Sequence, residues 1–333
     1  TASRQEHKPF VGGMVYMQNH KNLHGGQGEH PHSTGANSPT TETRNPRSMN
    51  LDMLDTQGIL TLINSEDQKV AVAVAQQIPE ITRAVDMITD RLKQGGRLFY
   101  MGAGTSGRLG VLDLAELKPT FGVGRETVEA FIAGGPRAIT ESVEAAEDSF
   151  SAGGKELSER SISCKDAVVG IAASGSTPYV LGALATAREA GAATIGLSCN
   201  SNSKLREYAD VAIEVVVGPE VLTGSTRMKA GTAQKLVLNM MSTAVMVKLG
   251  KVYENLMVDM QATNLKLRVR ARGMVQATTG VNDDEAQHLL DAANFDLKTA
   301  IVMGKLNVDL ATAQQLLTEA QGFVRKAIES GPR

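Results

Sequence analysis

Five short runs rich in β-branched and other apolar residues alternate with amphipathic helical segments in the middle of this chain. The runs cover residues 97–101, 127–133, 167–172, 193–198 and 211–217. Strands that alternate with helices indicate a parallel, doubly wound α/β sheet, because parallel neighbours need a crossover that covers one face of the sheet. Ligands of such sheets bind beyond the carboxyl ends of the strands. The sequence therefore predicts a five-stranded parallel sheet and the edge at which a site would lie.

Two loops rich in glycine and hydroxyl residues follow the first and third runs. They read Gly102-Ala-Gly-Thr-Ser-Gly107 and Ala173-Ser-Gly-Ser-Thr-Pro178, and each precedes a helical segment. A helix start offers unpaired backbone N–H groups and partial positive charge, to which Ser and Thr add hydroxyl donors. Serine N-capping explains either loop alone. The matched pair predicts a phosphorylated small molecule as ligand.

Other ligand classes fit less well. The first loop satisfies the dinucleotide pattern G-x-G-x-x-G, but the second strand ends at Ala133-Gly-Gly135 without the acidic residue that a ribose would require. The chain contains no G-x-x-x-x-G-K-[ST] motif of nucleotide triphosphatases. A net charge of −2 provides no basic field for nucleic acid, and no apolar run reaches membrane-spanning length.

A third segment, residues 218–235, is dense in small, hydroxyl and charged residues. Its possible hydrogen-bond donors to a ligand are Thr223, Ser225 and Thr226, and its cations that can balance negative charge are Arg227, Lys229 and Lys235. A capped helix with a solvated basic face explains the segment equally well.

Two glutamates are candidate acid–base groups. Glu116 lies near the C-terminal end of the helix after the first loop, where the macrodipole disfavours a carboxylate. Residues 136–150 are predicted to form a helix on which Glu147 shares a stripe with Ile139 and Phe150. Desolvation there would raise its pKa and suit it to proton transfer near neutrality. An ordinary helical glutamate is the alternative in each case.

The composition predicts three parts along the chain. Residues 1–40 are too polar to form a core and are predicted to be a flexible leader. Residues 41–278 are assigned to the α/β domain with an N-terminal helical segment, in which Ser65 is predicted to cap a helix that ends before Gly95. Residues 279–333 are predicted to form a small helical domain of three segments, 284–293, 296–303 and 309–327, that packs or supports a dimer. Without zinc or redox spacing, Cys164 and Cys199 are predicted to be two plain buried thiols, which indicates a cytoplasmic protein.

Together these segments resemble the N-acetylmuramic acid 6-phosphate etherases, a family built on the sugar isomerase (SIS) domain. The resemblance begins at about residue 41, and its most specific part is residues 218–235, a signature shared with glucokinase regulatory proteins. The matching segments are Thr41-Glu-Thr-Arg-Asn45 with Ser48 and Asp52, Gly102 to Gly110, Ala133 to Gly135, Glu144 to Asp148, Gly170 to Gly175 and Gly218 to Lys235. The resemblance implies cleavage of the D-lactyl ether of N-acetylmuramic acid 6-phosphate, a homodimer, and no metal or organic cofactor.

The resemblance also implies roles for individual residues. Glu147 corresponds to the base for the C2 proton, and Glu116 to the acid that protonates the departing lactate oxygen and then activates water. The positions that match phosphate-binding residues of the SIS domain are Ser106, Ser174, Ser176 and Thr177. Further candidates for the substrate pocket are Thr105, Glu220, Ser225, Thr226 and Lys229.

The sequence departs from the family around the first carboxylate. Relatives usually read Asp-Ala-Ser-Glu-Cys-Pro-Pro there, whereas this chain reads Asp113-Leu-Ala-Glu-Leu-Lys-Pro119. A nearby Lys118 would lower the pKa of Glu116. A non-catalytic sugar-phosphate sensor of the glucokinase regulatory type is the alternative function. An aldose–ketose phosphate isomerase would share the two loops but lack the segment 218–235.

Overall fold

The computed structural model describes residues 39–332, except for the side chain of Glu144. Its five strands are β1 (Leu98–Gly102), β2 (Val128–Ile132), β3 (Ala167–Ile171), β4 (Ala193–Ser198) and β5 (Val211–Glu214). They form one parallel sheet in the order β2-β1-β3-β4-β5. The predicted parallel α/β sheet is therefore confirmed. The predicted leader, residues 1–40, lies outside the described residues except for its last two positions.

The helices that surround the sheet are α1 (Thr56–Ala75), α2 (Ile78–Lys93), α3 (Gly104–Phe121), α4 (Phe150–Glu159), α5 (Pro178–Glu189) and α6 (Lys229–Lys248). Successive residues of a strand face opposite sides of the sheet. Tyr100 of β1 therefore belongs to an apolar core with α1, α2, α3 and α6, whereas Phe99 and Met101 belong to a core with α4 and α5. Helices thus cover both faces, as in a doubly wound fold.

The prediction that Ser65 caps a helix is wrong. Helix α1 begins nine residues earlier at Thr56, where the Asp55 side chain accepts a hydrogen bond from the Gly58 backbone. Ser65 lies in the middle of α1, and its hydroxyl donates to the carbonyl oxygen of Leu62. The aspartate satisfies the free N–H groups of the helix start, so the serine is not needed there.

Residues 136–150 do not form the predicted helix. They contain two short 3-10 turns, Pro136–Ile139 and Glu144–Ala146, and α4 begins only at Phe150, where the Ser149 side chain caps it. Ile139 and Phe150 are 41% and 46% exposed, so there is no buried apolar stripe to stabilise a continuous helix.

Five further helices follow the sheet: α7 (Leu265–Thr279), α8 (Asp283–Ala292), α9 (Leu297–Leu306), α10 (Leu310–Glu319) and α11 (Val324–Ser330). They surround an apolar core of their own, which includes Val275, Leu290 and Ile301. This confirms the predicted C-terminal helices, although the segment predicted as one helix over 309–327 is two, separated at Gly322, which has a φ of +80°. Within residues 39–332, no helix is both long and apolar enough to span a membrane.

Candidate active site

The two glycine-rich loops lie side by side at the carboxyl edge of the sheet. The last residue of β1, Gly102, pairs in register with Ile171, the last residue of β3. The strand order reverses between β1 and β3, so the following helices turn to opposite faces: α3 packs with α6, and α5 packs with α4. The crevice between such diverging helices is where ligands of this sheet type bind.

The first loop is tight because its glycines permit close backbone approach. A Cβ atom on Gly102 would lie 2.7 Å from the backbone nitrogen of Gly107, and Gly104 has a φ of +52°. The loop continues directly into α3, whose first turn contains Thr105 and Ser106. Ser106 is 6% exposed, and its hydroxyl donates to Oε1 of Gln234 over 3.0 Å.

In the second loop, a serine hydroxyl accepts two hydrogen bonds. Ser174 Oγ accepts from the backbone N–H of Ser176 over 3.2 Å and from its hydroxyl over 3.3 Å. Thr177 takes the N-cap position of α5 without a side-chain cap, which leaves its hydroxyl to face other partners. The loop therefore presents three hydroxyl groups within four residues at a helix start, which suits an anion.

Asn200 fastens the second loop to the segment that begins at Thr41. Asn200 is 4% exposed, and its Nδ2 donates to the backbone oxygens of Ala173 and Ser174 and to Oγ1 of Thr41. The Thr41 backbone N–H donates back to Asn200 Oδ1 over 3.2 Å. The sequence analysis missed Asn200. The sequence feature that could have identified Asn200 is its position as a polar residue just after the buried strand β4. The two loops occupy the same position after β1 and β3.

Glu147 lies beside the second loop. Its carbonyl oxygen accepts a hydrogen bond of 3.0 Å from the Tyr179 backbone in the first turn of α5. Close packing holds this arrangement, because a Cβ atom on Gly182 would lie 1.8 Å from the carbonyl oxygen of Phe150. Glu147 is exposed in the described chain. The predicted desolvation on an apolar stripe is therefore wrong, because the helix that would create the stripe does not form.

Glu116 is an exposed residue of α3, five positions before the helix ends at Phe121, as the sequence predicts. One turn earlier, Asp113 is 5% exposed and accepts hydrogen bonds from Tyr100 of β1 and from Asn239 and Ser242 of α6, at 3.0, 2.8 and 3.1 Å. Burial raises the pKa of Asp113, although these three hydrogen bonds oppose the rise. The buried carboxylate fixes α3, and hence the backbone of Glu116, against the sheet and α6.

The residues that differ from the family around Glu116 occupy different environments. Leu117 is 2% exposed and belongs to the core, and Leu114 is half-buried against it. Lys118 is exposed, and Pro119 lies inside the last turn of α3. Leu114 and Leu117 therefore pack α3 against the core, whereas Lys118 does not.

The segment 218–235 builds the start of α6. Glu220 is 1% exposed and accepts from the backbone N–H groups of Lys229 and Ala230 over 3.0 and 2.9 Å. Burial raises the pKa of Glu220, although the two backbone hydrogen bonds oppose this. The capped-helix interpretation holds for Glu220, which closes the N-terminus of α6. Glu220 thus lies in the framework of the site.

Lys229 is also part of the framework, and its basic group is not solvated. Its side chain is 1% exposed, and Nζ donates to Glu66 Oε2 over 2.7 Å and to the Val217 oxygen over 2.9 Å. Burial raises the pKa of Glu66, but hydrogen bonds from Lys229, Lys69 and Arg47 outweigh it and lower the pKa to about 2. Glu66 is therefore ionised at neutral pH.

The turn before α6 meets the first loop. Ser225 and Thr226 are half-buried in this turn, where the Thr226 oxygen accepts from the Gly231 backbone over 2.9 Å. A Cβ atom on Gly231 would lie 3.4 Å from Cγ2 of Thr105. The structure thus brings Thr105 and Ser106 together with α6, and Glu147 together with the second loop, while Glu220 and Lys229 are buried at the start of α6.

Three families match parts of the chain. Residues 80–188 match the glucokinase regulatory protein N-terminal SIS domain, residues 150–244 match the SIS domain, and residues 275–303 match a UBA-like domain. The first two matches include both glycine-rich loops and the sheet. The third covers α8 and the chain on either side of it.

Several curated relatives match over nearly their whole length. The N-acetylmuramic acid 6-phosphate etherase of Caldanaerobacter subterraneus subsp. tengcongensis is 53% identical over 87% of this chain and 94% of its own. The Geobacillus sp. enzyme of the same name is 52% identical over 87% of this chain and 98% of its own. The Yersinia pestis enzyme is 54% identical, with coverage of 86% and 98%.

Solved structures are more distant. A phosphoheptose isomerase from Francisella tularensis is 16% identical, with a TM-score of 0.45 over 58% of this chain and 98% of its own.

Proposed function

The chain belongs to the N-acetylmuramic acid 6-phosphate etherase family, and on that premise we propose how its residues cleave the D-lactyl ether of this sugar phosphate. The observation that carries the function is the identity of more than 50% to three etherases over most of both chains. The products are N-acetylglucosamine 6-phosphate and D-lactate. The sensor function of the glucokinase regulatory type is not favoured.

We assign the phosphate to the crevice between the two loops. Ser106 stands in the first turn of α3, and Ser174, Ser176 and Thr177 precede α5. Two helix starts and four hydroxyl groups lie at one edge of the sheet, an arrangement that suits the binding of an anion. Thr105 of the first loop and Ser225 and Thr226 of the turn before α6 are assigned to the rest of the sugar. Glu220 and Lys229 are buried and hold the start of α6 in place.

The chemistry begins in the open-chain sugar, in which the C2 proton lies next to an aldehyde. Glu147 removes this proton, and the electron pair forms a C2–C3 double bond as the C3–O bond to lactate breaks. Glu116 gives its proton to the departing lactate oxygen. The same carboxylate then takes a proton from water, whose oxygen adds to C3 while C2 regains a proton. Apart from the departing lactate, elimination and addition together require only proton transfers and one water molecule.

The positions of the two glutamates support separate roles. Glu147 adjoins the second loop through Tyr179, whereas Glu116 lies on α3, the helix that follows the first loop. We propose that the sugar, anchored at the loops by its phosphate, meets one carboxylate from each of these elements. Holding both groups in place relative to the substrate is itself a large part of catalysis.

The substrate assignment is tested by incubating the protein with N-acetylmuramic acid 6-phosphate and with its unphosphorylated form. D-lactate is then measured with a D-lactate dehydrogenase. We expect lactate from the phosphorylated sugar and at least about a hundredfold lower kcat/KM for the other, because the loop donors are left unpaired. Equal rates would contradict the assigned phosphate site, and binding without lactate release would favour the sensor.

We further propose a cytoplasmic homodimer that recovers cell-wall amino sugars. Supporting a second subunit, large apolar side chains are exposed on the N-terminal helical segment: Met53 is 80%, Val72 64% and Leu60 61% exposed. Supporting a reducing compartment, both Cys164 and Cys199 are free thiols. Cys199 is buried as predicted, whereas Cys164 is exposed, so the prediction that both are buried is wrong for Cys164. Light scattering of the purified protein tests the dimer, and fractionation of cells that express it tests the location.

A further inference from the structure

The side-chain amide of Gln234, buried beside the first loop, makes a hydrogen bond through only one of its two polar atoms. Gln234 of α6 is completely buried, and its Oε1 accepts the hydroxyl proton of Ser106. Its Nε2 is also buried and has no hydrogen-bond partner among the residues that the structure describes. Buried amide donors are nearly always paired, because leaving one unpaired costs free energy. An orphan donor in contact with a site residue therefore points to a second arrangement in which it is used.

The two loops differ in where their hydroxyl protons point. Ser174 Oγ accepts both of its recorded hydrogen bonds, so its own proton is left to donate to a ligand. Ser106 instead donates its proton to Gln234. A phosphate oxygen is an acceptor and needs that proton. In the arrangement described, the Ser106 hydroxyl cannot donate to a phosphate oxygen without breaking its hydrogen bond to Gln234.

Rotation of the amide resolves this conflict. If the terminal amide of Gln234 turns by about 180°, Nε2 donates to Ser106 Oγ, and the Ser106 proton is released toward the crevice. Ser106 and Gln234 then make two hydrogen bonds when an anion is bound, one with each other and one from Ser106 to the anion. Without the anion they make only the bond with each other. A ligand shifts such an equilibrium by its differential affinity for the two states.

We propose that Gln234 is the positioning residue that turns the Ser106 hydroxyl toward a bound phosphate. The inference rests on the proposed function, which places the phosphate at Ser106. It also explains why an amide suits this buried position. A methionine of similar size would neither hold nor release the proton, and a glutamate would only accept it.

The test is a set of variants whose affinity for N-acetylglucosamine 6-phosphate is measured by calorimetry. Ser106→Ala is made in the wild-type, Gln234→Glu and Gln234→Met backgrounds, and Gln314→Glu on the exposed surface of α10 controls for added charge. We expect Ser106→Ala to raise Kd about tenfold in the wild type and in Gln234→Met, but less than about twofold in Gln234→Glu. In that background the carboxylate already holds the Ser106 proton.

An equal effect of Ser106→Ala in all three backgrounds would overturn the proposal, because a purely structural glutamine produces no such pattern. If a variant does not fold, the wild type still provides a test through the Gln234 side-chain amide resonance. It should move downfield and exchange more slowly with N-acetylglucosamine 6-phosphate in the wild type but not in Ser106→Ala. No change in the wild type would also overturn the proposal.

The failure of this inference is distinguishable from failure of the proposed function. A wild type that binds N-acetylglucosamine 6-phosphate and releases D-lactate, but shows no coupling between Ser106 and Gln234, would overturn only the role of Gln234. A wild type that neither binds the sugar phosphate nor releases lactate would overturn both.

Discussion

The backbone N–H of Tyr179 donates to the carbonyl oxygen of Glu147 over 3.0 Å. This bond joins the chain between β2 and α4 to the first turn of α5, directly after the second glycine-rich loop. The position of Glu147 is thereby tied to the element that presents Ser174, Ser176 and Thr177. Because the tie is made by the backbone, the carboxylate can be changed without loosening it.

Glu147→Gln should suppress exchange of the substrate C2 proton with solvent, because the amide cannot accept that proton. We expect the exchange rate in D₂O to fall by about a hundredfold or more. Proton NMR of the sugar measures the loss of the C2 signal. Asp148→Asn alters the adjacent exposed carboxylate and is the matched control. Exchange at the wild-type rate in Glu147→Gln would remove its assigned role.

Glu116→Gln should abolish D-lactate release but leave affinity for N-acetylglucosamine 6-phosphate nearly unchanged. The exposed side chain makes no hydrogen bond or ion pair within residues 39–332, so the loss of about 10²- to 10⁴-fold in kcat reflects missing proton transfer. Coupled D-lactate assays and calorimetry measure the two quantities. Glu189→Gln, an exposed residue at the end of α5, is the control. A kcat close to wild type would contradict the assignment.

Tyr100→Phe should lower the free energy of unfolding by about 1–2 kcal/mol, because Asp113 remains buried with one donor fewer. Lactate release should fall by less than about tenfold, since Asn239 and Ser242 still hold the carboxylate and with it α3. Urea denaturation gives the stability. A stability equal to wild type would show that the Tyr100–Asp113 bond contributes nothing.

Lys229→Met should destabilise the protein by about 3–5 kcal/mol, because it removes the buried cation paired with Glu66. Replacing both partners, in Lys229→Met with Glu66→Leu, should restore most of that loss, since neither charge of the buried pair remains. Thermal and urea unfolding of the three proteins measure this. A double variant less stable than Lys229→Met would refute the explanation.

The Glu66 cluster also predicts a dependence of stability on pH. The pKa of Glu66 is about 2 in the folded chain and 4.5 as the ordinary value, so the group stabilises the fold fully above about pH 4.5. Its contribution, about 3 kcal/mol, is lost as the pH falls toward 2. The stability difference between wild type and Glu66→Gln should therefore shrink between pH 5 and 2. A constant difference would exclude this cause.

The sheet could be predicted because its signals are local. Each strand is a short apolar run bounded by polar or glycine residues, and the observed bounds of β4 are the predicted ones. The helix over residues 136–150 could not be excluded in this way. Its apparent stripe of Ile139 and Phe150 has apolar spacing, but the fold leaves these side chains 41% and 46% exposed.

The loops of the site could be predicted, but their supports could not. Glycine and hydroxyl residues at a strand end are visible in one stretch of sequence. Gln234 contacts Ser106, which is 128 positions away in the sequence. Asn200 contacts the second loop, 26 and 27 positions away. Such contacts exist only once the sheet has formed. For the same reason Lys229, a cation beside hydroxyl residues, resembles a ligand-binding group in the sequence but lies in a buried ion pair.

The most direct test of elimination followed by addition of water is the reaction in H₂¹⁸O that contains D₂O, with mass spectrometry of both products. The proposed chemistry predicts ¹⁸O at C3 and deuterium at C2 of N-acetylglucosamine 6-phosphate, with no ¹⁸O in the ether oxygen of the released D-lactate. Lactate that carries ¹⁸O in its hydroxyl group, with an unlabelled sugar, would show cleavage on the lactyl side and contradict the mechanism.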